Sequence, residues 1–187
     1  KQSKYTRPRM ELHAITLARD MSDIAEVSPG VYQVEVKSTM VGSYEIWVEY
    51  NGEEVSNKRV TLSVLADQNY EPDGSSVLSL KGSYSKNEQQ YINANGTDQA
   101  TITVKLNRNN DPMGGYAKYI SLSTDDASGV KIQDFIEDST NQGIYITKVT
   151  STKAGKYSFV LNYNGHPVNG VRQAELYTSA DNNDVDE

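Results

Sequence analysis

The sequence predicts an all-β chain of two tandem β-sandwiches, the first without its N-terminal strands. Three observations lead there: an internal repeat, a period-two alternation within each copy, and a composition suited to strands. Tyr outnumbers Phe 13 to 2 in the 187 residues, and Thr, Ser and Val are frequent. Such side chains suit a pleated, half-buried surface, and no long stretch keeps the helical period of about 3.6 residues.

The repeat is the strongest signal. Pro29-Gly30-Val31-Tyr32-Gln33-Val34-Glu35-Val36-Lys37-Ser38-Thr39 returns as Gln142-Gly143-Ile144-Tyr145-Ile146-Thr147-Lys148-Val149-Thr150-Ser151-Thr152. Val41-Gly42-Ser43-Tyr44-Glu45-Ile46 returns as Ala154-Gly155-Lys156-Tyr157-Ser158-Phe159, Tyr50-Asn51-Gly52 as Tyr163-Asn164-Gly165, and Val55 as Val168. One constant offset relates every pair, so the segments are copies of one unit.

Each copy reads as strands. Val31, Gln33 and Glu35 alternate with Tyr32, Val34 and Val36, and Tyr44, Ile46, Val48 and Tyr50 alternate with Ser43, Glu45, Trp47 and Glu49. That is the side-chain period of a strand. Asn51-Gly52 and Asn164-Gly165 are hairpin signals, since Asn and Gly accept positive φ. Strands are expected at 31–38, 43–50 and 60–65, and again at 144–151, 156–163 and 173–178.

The Gly-x-Tyr pairs at Tyr44 and Tyr157 match the tyrosine corner of immunoglobulin-type sandwiches, in which a Tyr near the start of strand F bonds back to the upstream backbone. The alternative is an ordinary half-buried strand tyrosine. The corner makes 31–38 and 144–151 the E strands, with F and G following. Upstream of the second copy, 76–84 reads as strand A, 99–107 as B, 119–124 as C and 130–137 as the next one or two. About seven strands in roughly 105 residues is the expected number for this sandwich.

The fold class is therefore tandem immunoglobulin-like β-sandwiches, the first lacking its N-terminal strands. Residues 1–66 form a partial domain with strands C to G, 67–75 a linker, 76–180 a complete domain and 181–187 an acidic tail. Before the first E strand there is room for strands at 12–18 and 24–27 only, and Lys1 to Arg9 is polar and holds Pro8. A sandwich without A and B leaves an open edge. Three readings stay open: a fragment or cleavage product that begins mid-domain, strand complementation from another chain, or pairing by residues 1–9. Ala66-Asp67-Gln68-Asn69 recurs as Ala180-Asp181-Asn182-Asn183, which reads as the start of another linker.

Composition excludes several functions. The net charge is −7, which gives no electrostatic footprint for nucleic acid or an anionic membrane. No apolar run is long enough to span a bilayer, so membrane insertion is not expected. There is no Cys, hence no disulfide or thiol chemistry, a pattern more usual of bacterial surface repeats than of small animal extracellular domains. No signal peptide is visible, and the chain opens at Lys1 rather than Met, as a processed or partial chain would.

Ala94-Asn95-Gly96-Thr97-Asp98-Gln99-Ala100-Thr101-Ile102-Thr103-Val104, followed by Asn110-Asp111-Pro112-Met113, Tyr119-Ile120-Ser121-Leu122-Ser123 and Ala154–Phe159, resembles the bacterial Ig-like repeats of invasin/intimin adhesins. The family's Gly-Asn-Pro-Val is altered here, and no lectin-like tip is visible. The resemblance implies a non-enzymatic adhesion module of a Gram-negative bacterium, secreted or displayed at the outer-membrane surface. It also implies protein partners: another Ig-like protein, an outer-membrane β-barrel exporter or a host receptor. The alternatives are a spacer array and a filamin-like scaffold repeat. The second rests on Pro29-Gly30-Val31-Tyr32 and Val41–Gly52 but lacks the Ser-Pro-Phe that filamin repeats carry before strand G.

Neither His13 nor His166 has further ligands at zinc spacing, and no nucleophile triad or phosphate-cradling loop is seen, so no catalytic residue, metal ligand or cofactor is assigned. Calcium at the acidic domain ends, Asp67, Glu71, Asp73 and 181–187, is the one metal weighed, against a solvated tail. The candidate binding residues are Trp47, outside if the Tyr44 face is the core, together with Asn164 and His166 on the F–G hairpin. Exposed Trp is a favoured interface anchor, and loops at sandwich ends often carry function. The ordinary reading of Trp47 is packing against the linker or the open edge. The loop 107–115 is a weaker candidate.

Overall fold

The structure is a computed structural model that describes residues 10–14, 20–21, 23–55 and 59–180, with the backbone alone for 10–14 and 20–21. The expectations for residues 1–9, 15–18 and the acidic tail 181–187 lie outside the described residues. The chain divides into two compact units, residues 1–65 and 66–187.

The first unit contains β1 (Met10–Ala14), β2 (Asp20–Met21), β3 (Ala25–Ser28), β4 (Val31–Gln33), β5 (Val36–Lys37), β6 (Gly42–Tyr50), β7 (Glu53–Glu54) and β8 (Val60–Val64). β6 is central: β1 and β8 flank it antiparallel, and β7 returns along it. The turn into β7 has Asn51 at φ 51° and Gly52 at φ 83°. Two successive positive φ values define the hairpin turn that follows strand twist, and Asn and Gly are the residues that take them at low cost.

The second unit contains β9 (Val77–Lys81), β10 (Tyr84–Lys86), β11 (Gln89–Asn93), β12 (Ala100–Lys105), β13 (Asn107–Arg108), β14 (Asp111–Pro112), β15 (Ile120–Ser123), β16 (Val130–Ile132), β17 (Ile136–Glu137), β18 (Ile144–Ser151), β19 (Gly155–Tyr163), β20 (His166–Pro167) and β21 (Ala174–Ser179). One sheet runs β16–β18–β12–β9, with β17 also on β18; the other runs β10–β11–β21–β19–β15. The strict alternation of β18, buried at Tyr145, Thr147, Val149 and Ser151, shows one face turned to the core. Ile92, Ile102, Val104, Tyr145, Phe159 and Leu176 are fully buried between the sheets. Each such side chain contributes roughly 1.5–3 kcal/mol relative to leaving it in water.

Three elements differ from expectation. The E strand expected over 31–38 divides into β4 and β5, which pair with β3 and β2 in turn. The A strand is not continuous over 76–84: it ends at Lys81, and the chain crosses to the other sheet to form β10. β11 was not anticipated. It pairs antiparallel with β10 and parallel with β21, with Tyr91 opposite Tyr177. Its turn from β10 uses Asn87 and Glu88 at φ 52° and 63°, and a Glu at the second position carries none of the usual hairpin signature.

The two units share strand register. Leu12 faces Val48 as Leu122 faces Leu161. Met21 faces Val36 as Ile132 faces Val149. Glu26 faces Tyr32 as Glu137 faces Tyr145. Tyr44 faces Leu62 as Tyr157 faces Leu176. The first unit thus repeats β15 to β21 and has no described counterpart of β9 to β12. The consequence shows in burial. Among the residues whose side chains are described, 21 hydrophobic side chains are buried, of which Met40 and Tyr44 belong to the first unit, and seven of the ten exposed large hydrophobics are in that unit.

Candidate binding surface

β6 places Glu45, Trp47 and Glu49 on the face opposite Tyr44, which is 4% exposed and therefore marks the core side. Trp47 is half-buried in this outer face. Arg59 lies over its ring, with the guanidinium carbon 4.2 Å from the centroid. Arg59 also bonds Glu54 through Nε at 3.2 Å and Nη2 at 3.4 Å, and Glu45 through Nη1 at 3.3 Å. The hydrogen bonds that Arg59 donates to Glu54 come first among the causes that raise the Arg59 pKa above its usual range. The indole Nε1 donates to Glu49 Oε1 at 3.2 Å. A guanidinium on an aromatic face and a carboxylate fork is a favoured arrangement for Arg, and it fixes the Trp47 ring in a shell of three carboxylates.

Asn164 and His166 lie together on the β19–β20 hairpin of the second unit. Asn164 takes the left-handed φ of 48° required by the turn, its N–H donates to Tyr119 O at 2.9 Å, and its side-chain amide reaches Gln68 O at 3.4 Å. His166 pairs with Tyr163 across the hairpin and is exposed. It joins Glu71, Pro72, Asp73, Tyr163 and Pro167–Asn169 in lining a pocket of about 260 Å³. Asn164 is thus occupied by turn geometry, whereas His166 is open at a pocket rim. Trp47 stands in the other unit.

The segment before the second unit's first strand packs onto that unit. Pro72 is buried. Asp73 accepts N–H bonds from Ser75 at 2.9 Å and Asn109 at 2.8 Å and a bond from the Ser75 hydroxyl, and the Ser75 hydroxyl leads the causes that hold its carboxyl below the usual range. Tyr163 Oη donates to Gln68 O at 3.1 Å, and Arg108 donates to Glu71 O at 2.9 Å. The turn 107–112, with Asn109 and Asn110 both at positive φ, serves as an anchor for this segment.

A strip of tyrosines escaped the sequence reading. Tyr84, Tyr91 and Tyr177 stack across β10, β11 and β21 at 5.4 and 5.3 Å between centroids, with Lys156 Nζ 5.6 Å from the Tyr177 ring. Only the pairing of β11 with β21 aligns them, so spacing in the sequence carried no sign of it. Among the described residues no cluster of three His, Cys, Asp or Glu is placed to hold a metal ion, and no helix is long and apolar enough to cross a membrane.

Neither a protein-family profile nor a curated protein sequence matches the chain. Solved structures do. The Escherichia coli adhesin FdeC aligns over 93% of this chain and 52% of its own, at 17% identity and a TM-score of 0.57. Invasin, a bacterial integrin-binding protein, aligns over 93% and 33%, at 19% identity and a TM-score of 0.57. Yersinia pseudotuberculosis InvD aligns over 94% and 48%, at 16% identity and a TM-score of 0.60. The chain spans about half or less of each of these proteins. Their likeness extends through both units, and the fold of this chain is the immunoglobulin-like β-sandwich found in invasin-type bacterial adhesins.

Proposed function

We propose that this chain is an extracellular adhesion module of a Gram-negative bacterium that acts through protein–protein contact and not through catalysis. The observation that carries this reading is the fold likeness to FdeC, invasin and InvD over more than nine-tenths of the chain; of these, FdeC is an adhesin and invasin binds integrin. The Trp47 cluster supplies a contact surface of suitable chemistry: a large aromatic held by Arg59 and rimmed by Glu45, Glu49 and Glu54. Interface anchors of this type carry about 2 kcal/mol or more, close to a 30-fold change in affinity. A partner with a basic rim and an apolar pocket fits it.

The test is binding of fluorescent 187-residue chain to bacterial and to epithelial cell surfaces, compared with Trp47→Ala and Arg59→Ala. Saturable, protease-sensitive binding that falls about 30-fold in Trp47→Ala, with unchanged amide exchange in the second unit, is the expected result. Absence of saturable binding to either surface would remove the adhesion reading. Full binding by Trp47→Ala would move the contact elsewhere on the molecule.

A further inference from the structure

The second unit turns a basic face to solvent in a chain of 25 acidic and 18 basic residues. On the outer side of the β9–β12–β18 sheet, Lys81 and Lys148 stand on either side of Thr101, and Lys105 stands between Val77 and Ile144. Lys131 lies opposite Thr150 at the end of the same face. The outward strand positions of this sheet hold these four lysines and no Asp or Glu. Among the described residues none of the four has a carboxylate partner; Lys148 Nζ donates to the Thr101 hydroxyl at 2.6 Å. On the unit's other sheet, by contrast, Lys156 pairs with Glu175 at 3.4 Å. Lysines protect the edge strands of sheets, but Lys105 and Lys148 belong to the interior strands β12 and β18. Among the lysines lies an aliphatic patch. Ile136, 73% exposed, is opposite Ile146, with Ile144 two residues along β18 and Val77, 50% exposed, across β12.

A face of this kind fits a partner that is acidic at its rim and apolar at its centre. The Trp47 face of the first unit has that composition: an indole among three carboxylates, Glu45, Glu49 and Glu54, with the single guanidinium of Arg59. We infer that the lysine face of the second unit is a docking surface for a second copy of this chain, which seats its Trp47 face there. Trp47 meets the aliphatic patch around Ile136 and Ile146, and the carboxylates meet the lysines. The inference rests on the reading of Trp47 as an adhesive contact and names the occupant of that contact. Each copy has one face of each kind, so the contact is heterologous and propagates from copy to copy. Strand spacings of about 4.8 Å and row spacings of about 6.8 Å make the lysine face roughly 14 by 20 Å, small beside a standard stable interface. The contact is therefore weak between single copies and gains strength where many are displayed together. Cells that display the chain could adhere to one another through it without a separate receptor.

The test is sedimentation equilibrium of the 187-residue chain over about 0.01–1 mM, the range in which weak contacts show. It is run beside two charge-reversed variants, Lys105→Glu with Lys131→Glu, and Glu45→Lys with Glu54→Lys. All four positions are exposed, so the substitutions leave the core untouched. The mass of the unaltered chain should rise with concentration past that of a dimer. Each variant alone should associate about 100-fold more weakly or not at all, because its faces then carry like charge. An equimolar mixture of the two should associate again, since the native Trp47 face of the first variant meets the native lysine face of the second. The inference is overturned if the unaltered chain stays monomeric throughout, if either reversal leaves its association unchanged, or if the mixture stays monomeric. Saturable binding to cell surfaces by a chain that does not self-associate overturns this inference alone and leaves the adhesion reading standing.

Discussion

Tyr157 Oη donates to Lys153 O at 2.8 Å and Tyr44 Oη to Met40 O at 2.6 Å, so both tyrosine corners form four residues back along the chain. The acceptor is shared: Ser151 Oγ and Thr178 Oγ1 also donate to Lys153 O. Tyr157→Phe therefore orphans nothing and should cost only about 1 kcal/mol, measured as amide-exchange stability of β19. Tyr145 is the harsher case. Its hydroxyl donates to Met113 O at 2.6 Å and accepts the Tyr116 N–H at 3.0 Å; Tyr145→Phe leaves a buried N–H unpaired and should cost about 1–3 kcal/mol. Burial pushes the Tyr145 phenol far above its usual range. It also leads the causes that push Tyr163 up to about 12, with the neighbouring Tyr116 and Tyr119 adding to it. Unfolded phenols ionise near about 10, so above that pH the unfolded state holds fewer protons and stability falls. The contribution of Tyr163 is complete below about pH 10 and is lost as pH rises through about 12, where tyrosinate absorbance should appear together with loosening of the second unit, while that of Tyr145 persists to higher pH. The corners were legible because their signal is local, Gly-x-Tyr. The role of Tyr145 was not, because its partners lie some thirty residues away.

The β9-to-β11 connection shows how elements set limits on reading. Gly82 lies where the chain changes sheets, and a Cβ there would stand 2.2 Å from Tyr91 O and 2.7 Å from Tyr91 N. Both are backbone atoms of a paired strand, so Gly82→Ala forces the crossover open. It should cost about 3 kcal/mol or more, with exchange rising first in β11. Six residues on, Glu88 holds φ 63°, a conformation that costs a non-glycine roughly 1 kcal/mol. Glu88→Gly should stabilise the second unit by about 0.5–1 kcal/mol, reduced by the freedom Gly gains when unfolded. These two positions explain why β11 was not foreseen. A continuous-looking run through 76–84 hid the crossover, and Asn87-Glu88 gave no turn signal. The Asn51-Gly52 and Asn164-Gly165 hairpins use the favoured residues and lie where the sequence predicts them. Alternation sets Trp47 opposite Tyr44, and the burial of Tyr44 makes that the outer side, whereas the Arg59 bracket depends on a residue that the hairpin returns to β6.

For the whole molecule, the internal repeat made the architecture readable. It places the hairpins and the last three strands of each copy, and the structure extends it to register, pair by pair. The sequence of each copy is nearly equivalent at the core positions of β6 and β19, yet their burial differs: Tyr44 and Tyr157 are both 4% exposed, while Val48 is half-buried where Leu161 is 2% exposed. β6 and β19 have equivalent strands beside them in their own sheets, so the difference lies in what packs on their inner faces, which in the second unit includes β12 and β18. The central claim is that the two units share one strand register, with β18 covered by β12 in the second and with no described strand on the equivalent side of β4 and β5 in the first. Native-state hydrogen exchange at matched amides of the 187-residue chain tests it most directly, comparing Tyr32, Val34 and Val36 with Tyr145, Thr147 and Val149. Exchange in the first set faster by at least about 100-fold, with the second set close to the global limit, is the predicted result; equal protection of the two sets would contradict it.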